Sequence, residues 1–421
     1  MIETKIIGFF YLLYTIFILF VISITSLEFW SILPSVLLMW LIFCFFVLGS
    51  KVLKKENTSN YTANFISWLN GKSSVTFIAL MIITVLSSFL VVRFYTGQSF
   101  STVINNIRNN VSTYAEYQRY FSENQVSQFS ISKLPFVFMM AFVKFNLFYG
   151  FFSLSLGSGE TEKLTIVKKT YLFFSALSYL YIGVARGTNF EMFEFVILII
   201  TLIFLRNDSK TFDIKKIFII LVITVLSVFI FIEVIGQRGS TGSKNFFISN
   251  DVFIDFSSPV FKSFEKLSLI FVSIYGYFGF GLFYGSVFLN SIYFSSTKSF
   301  LIYSLPLFPI LFNEPDIKEK MREFIDLGAR WNPDAYVLSS KVGILGLFFL
   351  VFLLGILLCQ LKQSQSNVSN ASDTVLSFFI IIQLLSFPVG NFITSATSSK
   401  IIIGMLILYK LFKALMGRYL Y

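Results

Sequence analysis

Apolar runs long enough to cross a bilayer recur from one end of this chain to the other. A helix needs ~20 apolar residues to cross the hydrocarbon core, where every backbone N–H and C=O must be bonded internally. The runs lie at roughly 6–26, 30–50, 74–94, 134–157, 170–185, 190–205, 216–236, 268–290, 299–313, 342–361, 374–390 and 398–416, about 12 in all. The fifth, sixth and ninth are short, and the ninth holds Pro306 and Pro309, so a broken or kinked helix is expected there. The expected fold is all-α: a polytopic integral membrane protein forming one transmembrane domain over residues 1–421. Only 13% of residues are charged, against roughly 25% in soluble domains.

The short loops set the orientation. Lys51, Lys54, Lys55 and Lys72 follow the second run, and Lys163, Lys168 and Lys169 the fourth. Arg206, Lys210, Lys215 and Lys216 follow the sixth, Lys362 the tenth, and Lys410, Lys413 and Arg418 come last. All fall on one side if both termini are cytoplasmic, as the positive-inside rule requires. Lys400, on the outer side, is a small exception. The longer loops, about 95–133, 237–267 and 314–341, then face outward. The last of them, from Asp316 to Gly328, has a helix-like charge pattern that stops at glycine. Orientation also explains much of the net charge of +11, and no basic tail suggests nucleic acid. The run from Ile6 to Ile24 reads as a span, since no small-residue cleavage site follows.

The chain has no histidine, which removes Ser-His-Asp and Cys-His nucleophiles and histidine as a general base. Cys44 and Cys359 lie inside apolar runs, where neither a disulfide nor a metal site is expected. Walker A, GxGxxG and HExxH patterns are missing, and Asp251 and Asp255 have no other obvious ligand nearby. No metal and no cofactor are expected.

Four arginines break the charge rule. Arg93, Arg186, Arg238 and Arg330 sit at or near the ends of apolar runs on the expected outer side. Arg186 and Arg238 share a context, Ala185-Arg186-Gly187 and Gln237-Arg238-Gly239. A guanidinium fork matches phosphate oxygens, and glycine lets a large ligand approach the backbone. The plainer alternative is snorkelling to lipid headgroups. Thr188 and Glu191 fit a capping box at the start of the sixth run, and Glu194 lies one turn deeper. A carboxylate there needs a partner, for which Arg186 or an incoming sugar hydroxyl would serve. Glu233 lies near the outer end of the seventh run, and Lys144 midway along the fourth. Charges at such depth face a bundle interior or wet cavity and pair, so Lys144–Glu233 and Lys144–Glu194 are both open.

A last cluster, Arg330-Trp331-Asn332-Pro333-Asp334-Ala335-Tyr336, precedes Gly343 and Gly346 at the start of the tenth run. Arginine can hold phosphate, tryptophan can stack on a sugar ring, and Asn332, Asp334 and Tyr336 can bond hydroxyls. Asp334 can also act as a general base. The alternative is a loop re-entering the membrane with an aromatic at the interface.

Together these features resemble the Wzy-type O-antigen and oligosaccharide repeat-unit polymerases. The resemblance rests on Ala185-Arg186-Gly187 before a further span and a basic loop, and on Gln237-Arg238-Gly239 before an outer loop. It also rests on Tyr275-Gly276-Tyr277 with Gly279 and Gly281, and on Asn332-Pro333-Asp334-Ala335-Tyr336 with Gly343 and Gly346. It covers roughly residues 170–360. Ligases of the same kind tend to carry histidine in the late outer loop, which this chain lacks. Polymerases often have their largest outer loop between the fifth and sixth spans, where this chain has only a few residues.

The resemblance implies a glycosyltransferase of the bacterial inner membrane with its active site facing the periplasm. A growing glycan on undecaprenyl pyrophosphate would pass to a lipid-linked repeat unit, without metal. Arg186 and Arg238 would grip the donor pyrophosphate, with Arg330 assisting or holding the acceptor. Asp334, Glu194 or Glu233 would orient or deprotonate the acceptor hydroxyl. Arg93, Lys144, Trp331, Asn332 and Tyr336 would line the substrate path. Implied partners are the two lipid-linked glycans, membrane lipid and a chain-length regulator protein.

Two rivals remain. A flippase for the same lipid-linked unit would also be basic and about 12-spanning, and Lys144 at mid-membrane suits it. The three long outer loops favour the polymerase. A transferase using a polyprenyl-phosphate sugar usually shows an acidic pair in the first outer loop, and Ser26-Leu27-Glu28-Phe29 is too short for that.

Overall fold

The computed structural model describes residues 2–52, 64–69, 71–109, 113–124, 130–157, 164–188, 190–205, 247–249, 252–265, 268, 271, 274, 279–311, 334–364, 368–390 and 396–419. In chain order these form α1 (Ile2–Ile22), α2 (Phe29–Val52), β1 (Asn64–Ile66), α3 (Ser74–Thr96), α4 (Phe100–Arg108) and α5 (Thr113–Glu123). Next come a 3-10 turn (Ile131–Lys133), α6 (Leu134–Gly157), α7 (Ile166–Arg186), α8 (Phe190–Leu205), β2 (Phe247–Ser249), β3 (Val252–Phe253) and α9 (Pro259–Ser263). Then follow α10 (Phe280–Phe288), a π turn (Leu289–Tyr293), α11 (Thr297–Ser304) and α12 (Phe308–Leu311). The chain closes with α13 (Asp334–Val342), α14 (Ile344–Ser364), β4 (Val368–Asn370), α15 (Ala371–Ser386) and α16 (Thr397–Tyr419). Short strand pairs, β1 with β4 and β2 with β3, are minor additions to a helical protein.

This is a membrane protein by the way its helices are dressed. Among the described residues, five helices are long and apolar enough to cross a bilayer: Glu3–Ile22, Phe29–Val52, Ser74–Thr96, Ile131–Leu156 and Ile344–Leu361. α3 is inside-out by the standards of a soluble protein. Ile78, Ile82, Leu86 and Leu90 are exposed, while Thr84, Ser87 and Ser88 are buried. Lipid wets large apolar side chains as well as a protein core does, so close packing of small residues, with polar contacts, holds such helices together.

The seventh apolar run, residues 216–236, lies outside the described residues, and of the eighth α10 is the main described part. The fifth is longer than expected. α7 takes in Lys168 and Lys169 and reaches 21 residues, about 31 Å at 1.5 Å per residue. The ninth is broken as its prolines require. Leu305, before Pro306, is extended, Leu307 sits at φ 66°, and α12 restarts at Phe308. The segment 95–133, expected from sequence as a long loop, contains the helices α4 and α5.

Contacts divide the chain into two compact units. One comprises Met1–Asn57, Gly242–Gln363 and Ile380–Thr394; the other comprises Thr58–Thr241, Ser364–Phe379 and Ser395–Tyr421. In the first, α2 packs on α1, α10 and α14, with Phe45 stacked on Phe348 at 4.6 Å. In the second, α3, α6 and α7 pack together around Asn146. Its amide donates to Thr84 Oγ1 (2.6 Å), and Tyr171 donates to its Oδ1 (2.6 Å). One buried amide thereby ties three helices where water offers no competing partner.

Candidate functional site

The second unit carries two ion pairs one helical turn apart along α8. The deeper is Lys144–Glu194. Lys144 lies near the middle of α6 and Glu194 in the second turn of α8. Lys144 Nζ donates to Glu194 Oε1 at 2.6 Å and to Ser399 Oγ of α16 at 2.6 Å. The Tyr179 hydroxyl of α7 donates to Glu194 Oε2. The side chains are 1% and 0% exposed. Phe190, Phe379 and Phe148 surround the ammonium, with ring centroids 4.9, 5.6 and 5.8 Å away. A cation in a dry aromatic cage gains from the ring faces as well as from its carboxylate. Of the two pairings open in the sequence, the structure contains Lys144–Glu194; Glu233 lies outside the described residues.

The other pair is Arg186–Glu191. α7 begins at the cap Thr165 and ends at Gly187, whose φ of 59° is the left-handed turn a helix stop requires. Thr188 N–H reaches back to the Gly183 carbonyl at 2.9 Å, closing the stop and presenting Arg186 at its rim. Arg186 Nη1 donates to Glu191 Oε1 at 2.9 Å, and Thr188 Oγ1 donates to Glu191 Oε2 at 2.8 Å. Thr188 and Glu191 meet side chain to side chain, and not as the capping box expected from the sequence: the Thr188 N–H goes to Gly183, and Glu191 neutralises Arg186. Glu194, for which Arg186 was a candidate partner, takes Lys144 instead.

The far side of Arg186 is covered by α5. Its guanidinium lies 5.2 Å from the Tyr117 ring centroid, and Nη2 makes a long 3.4 Å contact to the Tyr117 hydroxyl. Gly187 has a different use from the one its sequence context suggested. A Cβ there would come within 2.6 Å of Tyr114 N and 2.8 Å of Thr113 Oγ1, so the close approach it permits is that of α5. The Arg186 side chain remains 21% exposed, and its Nε is buried with no hydrogen-bond partner among the described residues. A guanidinium presents two forks. Glu191 occupies Nη1, and the Nε–Nη2 edge is left underused.

The other candidates are placed differently. Arg93 is exposed in the last turn of α3. Asp334 and Tyr336 belong to the first unit, on α13. Asp334 is buried at the helix N-terminus, where the dipole favours its charge, and accepts from Gln383 Nε2 (2.7 Å) and Ser386 Oγ (3.4 Å). Tyr336 is buried and donates to Ser35 Oγ at 2.5 Å, and a Cβ on Gly285 would fall inside its ring. A phenol packed this way is part of a helix contact and is not presented to substrate. Arg238, Glu233, Arg330, Trp331 and Asn332 lie outside the described residues.

Tyr179, Tyr117 and Ser399 were missed in the sequence. Tyr179 had a signal, since it precedes Arg186 by seven residues and so shares its helix face. Tyr117 and Ser399 act from distant segments and had none.

Compared with known proteins, the chain matches no protein-family model, no curated protein and no solved structure.

Proposed function

We propose that this chain polymerises lipid-linked oligosaccharide repeat units at the periplasmic face of the bacterial inner membrane. About 12 spans with both termini cytoplasmic put Arg186 on that face. The observation that carries the reading is the state of Arg186: oriented by Glu191, partly exposed, and with its Nε–Nη2 edge lacking a close acceptor. Two phosphate oxygens would complete that edge.

In the proposed reaction an acceptor hydroxyl of the new repeat unit attacks the anomeric carbon of the growing glycan. The bond from that carbon to pyrophosphate breaks, and undecaprenyl pyrophosphate leaves. Arg186 stabilises the charge that develops on the leaving group; Arg238 and Arg330, the other arginines expected from the sequence, lie outside the described residues. The acceptor proton passes to a carboxylate. Glu194 is a poor candidate for this step, because Lys144 and Tyr179 already occupy both its oxygens. Asp334 is also hydrogen-bonded, and Glu233 completes the set.

The flippase reading drew on Lys144 as a cation lining a transport path. With its charge paired and 1% of its side chain exposed, Lys144 no longer supplies that support. The test uses purified protein in lipid with the undecaprenyl-pyrophosphate-linked repeat unit. A glycan ladder without added nucleotide or metal is expected, and Arg186→Ala should remove it while the protein still inserts. Transport of intact lipid across vesicles without a ladder would replace this reading with the flippase. Full polymerisation by Arg186→Ala would end the clamp.

A further inference from the structure

A second polar site lies where α3 passes into α4. α3 stops at Gly97, φ 67°, whose N–H bonds the Arg93 carbonyl at 2.9 Å. The Tyr120 ring of α5 lies directly over this turn; a Cβ on residue 97 would stand 2.5 Å from it. Between the turn and α5 is a half-open cleft of about 270 Å³. That is close to the lower bound of roughly 300 Å³ for small-molecule pockets, and suits a single ring better than a drug-sized ligand.

Gln98 lines this cleft and is 7% exposed. Its Oε1 accepts a long 3.5 Å contact from Asn106, and its Nε2 is buried without a partner among the described residues. A buried donor without an acceptor has lost its water and gained nothing in return, so an acceptor arriving from the cleft would be favoured there. The walls are Thr102, Glu116, Arg119, Tyr120 and Glu123. Arg119 Nη2 bonds Glu116 Oε2 at 2.7 Å. Two carboxylates and one guanidinium give the lining a formal charge of −1, which disfavours phosphate. A neutral polyol fits better. Its hydroxyls can accept from Gln98 and donate to the glutamates, while its C–H face can lie on Tyr120.

We propose that this cleft binds one sugar ring of the glycan. The assignment rests on the polymerase reading for its substrate, and on the cleft for its chemistry. Tyr120 follows Tyr117 by one turn of α5, so the helix that covers the arginine also carries a wall of the sugar site.

The probe is the oligosaccharide released by mild acid from the host's own lipid-linked repeat unit, free of lipid and phosphate. Binding to full-length protein in lipid nanodiscs is read by saturation-transfer NMR. Wild type should bind it, Gln98→Leu should weaken binding at least tenfold, and inorganic pyrophosphate should not compete. Glu123→Gln, on the exposed rim, should weaken binding several-fold and carries the test if Gln98→Leu does not fold. No signal from wild type, or undiminished binding by a folded Gln98→Leu or by Glu123→Gln, overturns the sugar site. The ladder assay on the same preparations separates the two ideas. Gln98-dependent binding with no ladder sinks the polymerase and leaves the sugar site. A ladder with no Gln98-dependent binding does the reverse.

Discussion

Replacing Lys144 by methionine keeps an unbranched apolar stem and deletes only the ammonium. Glu194 would then be a buried carboxylate whose remaining close donor is Tyr179. Removing one partner of a buried pair costs about 3–5 kcal/mol, because the survivor's charge is stranded. Glu194→Gln strands Lys144 instead and should cost a similar amount. The double variant Lys144→Met/Glu194→Gln strands neither. If the pair is the unit of stability, the double variant recovers much of the loss, giving a coupling of at least about 2 kcal/mol. That coupling lies within the 0.5–3 kcal/mol range seen for contacting residues. The assay is a four-way cycle on purified protein, with unfolding free energies from steric trapping in bicelles. Additive losses in the double variant would refute the argument, and so would single variants within about 0.5 kcal/mol of wild type, the spread of ordinary surface substitutions. Tyr179→Phe offers an internal check. Loss of one hydrogen bond to a charged group should cost about 1.5–3 kcal/mol, less than loss of the charge itself.

Gly187→Ala forces a Cβ onto a positive-φ turn and against Tyr114 N, so it should destabilise by more than 1 kcal/mol and speed proteolysis within Thr113–Glu123, read by limited digestion. Equal cleavage rates would mean that α5 is not seated on that glycine. Leu307→Gly removes the positive-φ cost at the break between α11 and α12; because glycine also gains unfolded-state entropy, the net change should stay within about 1 kcal/mol in a thermal melt. A loss beyond 2 kcal/mol would show that the Leu307 side chain matters more than its backbone. Asp334→Ala takes the acceptor from Gln383 and Ser386 and should cost about 1–3 kcal/mol. Should Asp334→Asn keep full stability yet make no glycan ladder, Asp334 would belong to the chemistry after all.

The helices were legible where a single physical rule dominates. Lipid demands ~20 apolar residues, so α1, α2, α3, α6 and α14 could be placed from hydropathy alone. The break at Pro306 followed from lost N–H donors and the extended residue that proline imposes before it. α4 carried a signal that was missed, Phe100, Val103, Ile104 and Ile107 at helical spacing inside an otherwise polar segment. α5 is more polar and depends for its packing on α3 and α7. The same gap separates the charges from their pairings. Depth predicted that Lys144 would be paired, because a lone ammonium there is expensive. Depth could not choose between Glu194 and Glu233, since that depends on which helices adjoin.

The two pairs on α8 differ in the property a substrate site needs. In Lys144–Glu194 the ammonium bonds Glu194 and Ser399, both carboxylate oxygens are bonded, and phenylalanines surround the cation, so a ligand could enter only at the cost of exposing a buried charge. Arg186–Glu191 has the same net charge but keeps one edge of the guanidinium short of acceptors and some of its surface open. Tyr117, at 3.4 Å, is the contact most easily given up, since a hydrogen bond of that length to an uncharged hydroxyl contributes little. A phosphate oxygen arriving at Nη2 would exchange this long contact for a shorter one to an anion, at a gain of roughly 1–2 kcal/mol. Tyr117→Phe therefore separates a positioning residue from a passive cover. It should leave the fold and the binding of free oligosaccharide intact while shifting KM for the lipid-linked donor. An unchanged KM would mean that the hydroxyl has no part in admitting the phosphate.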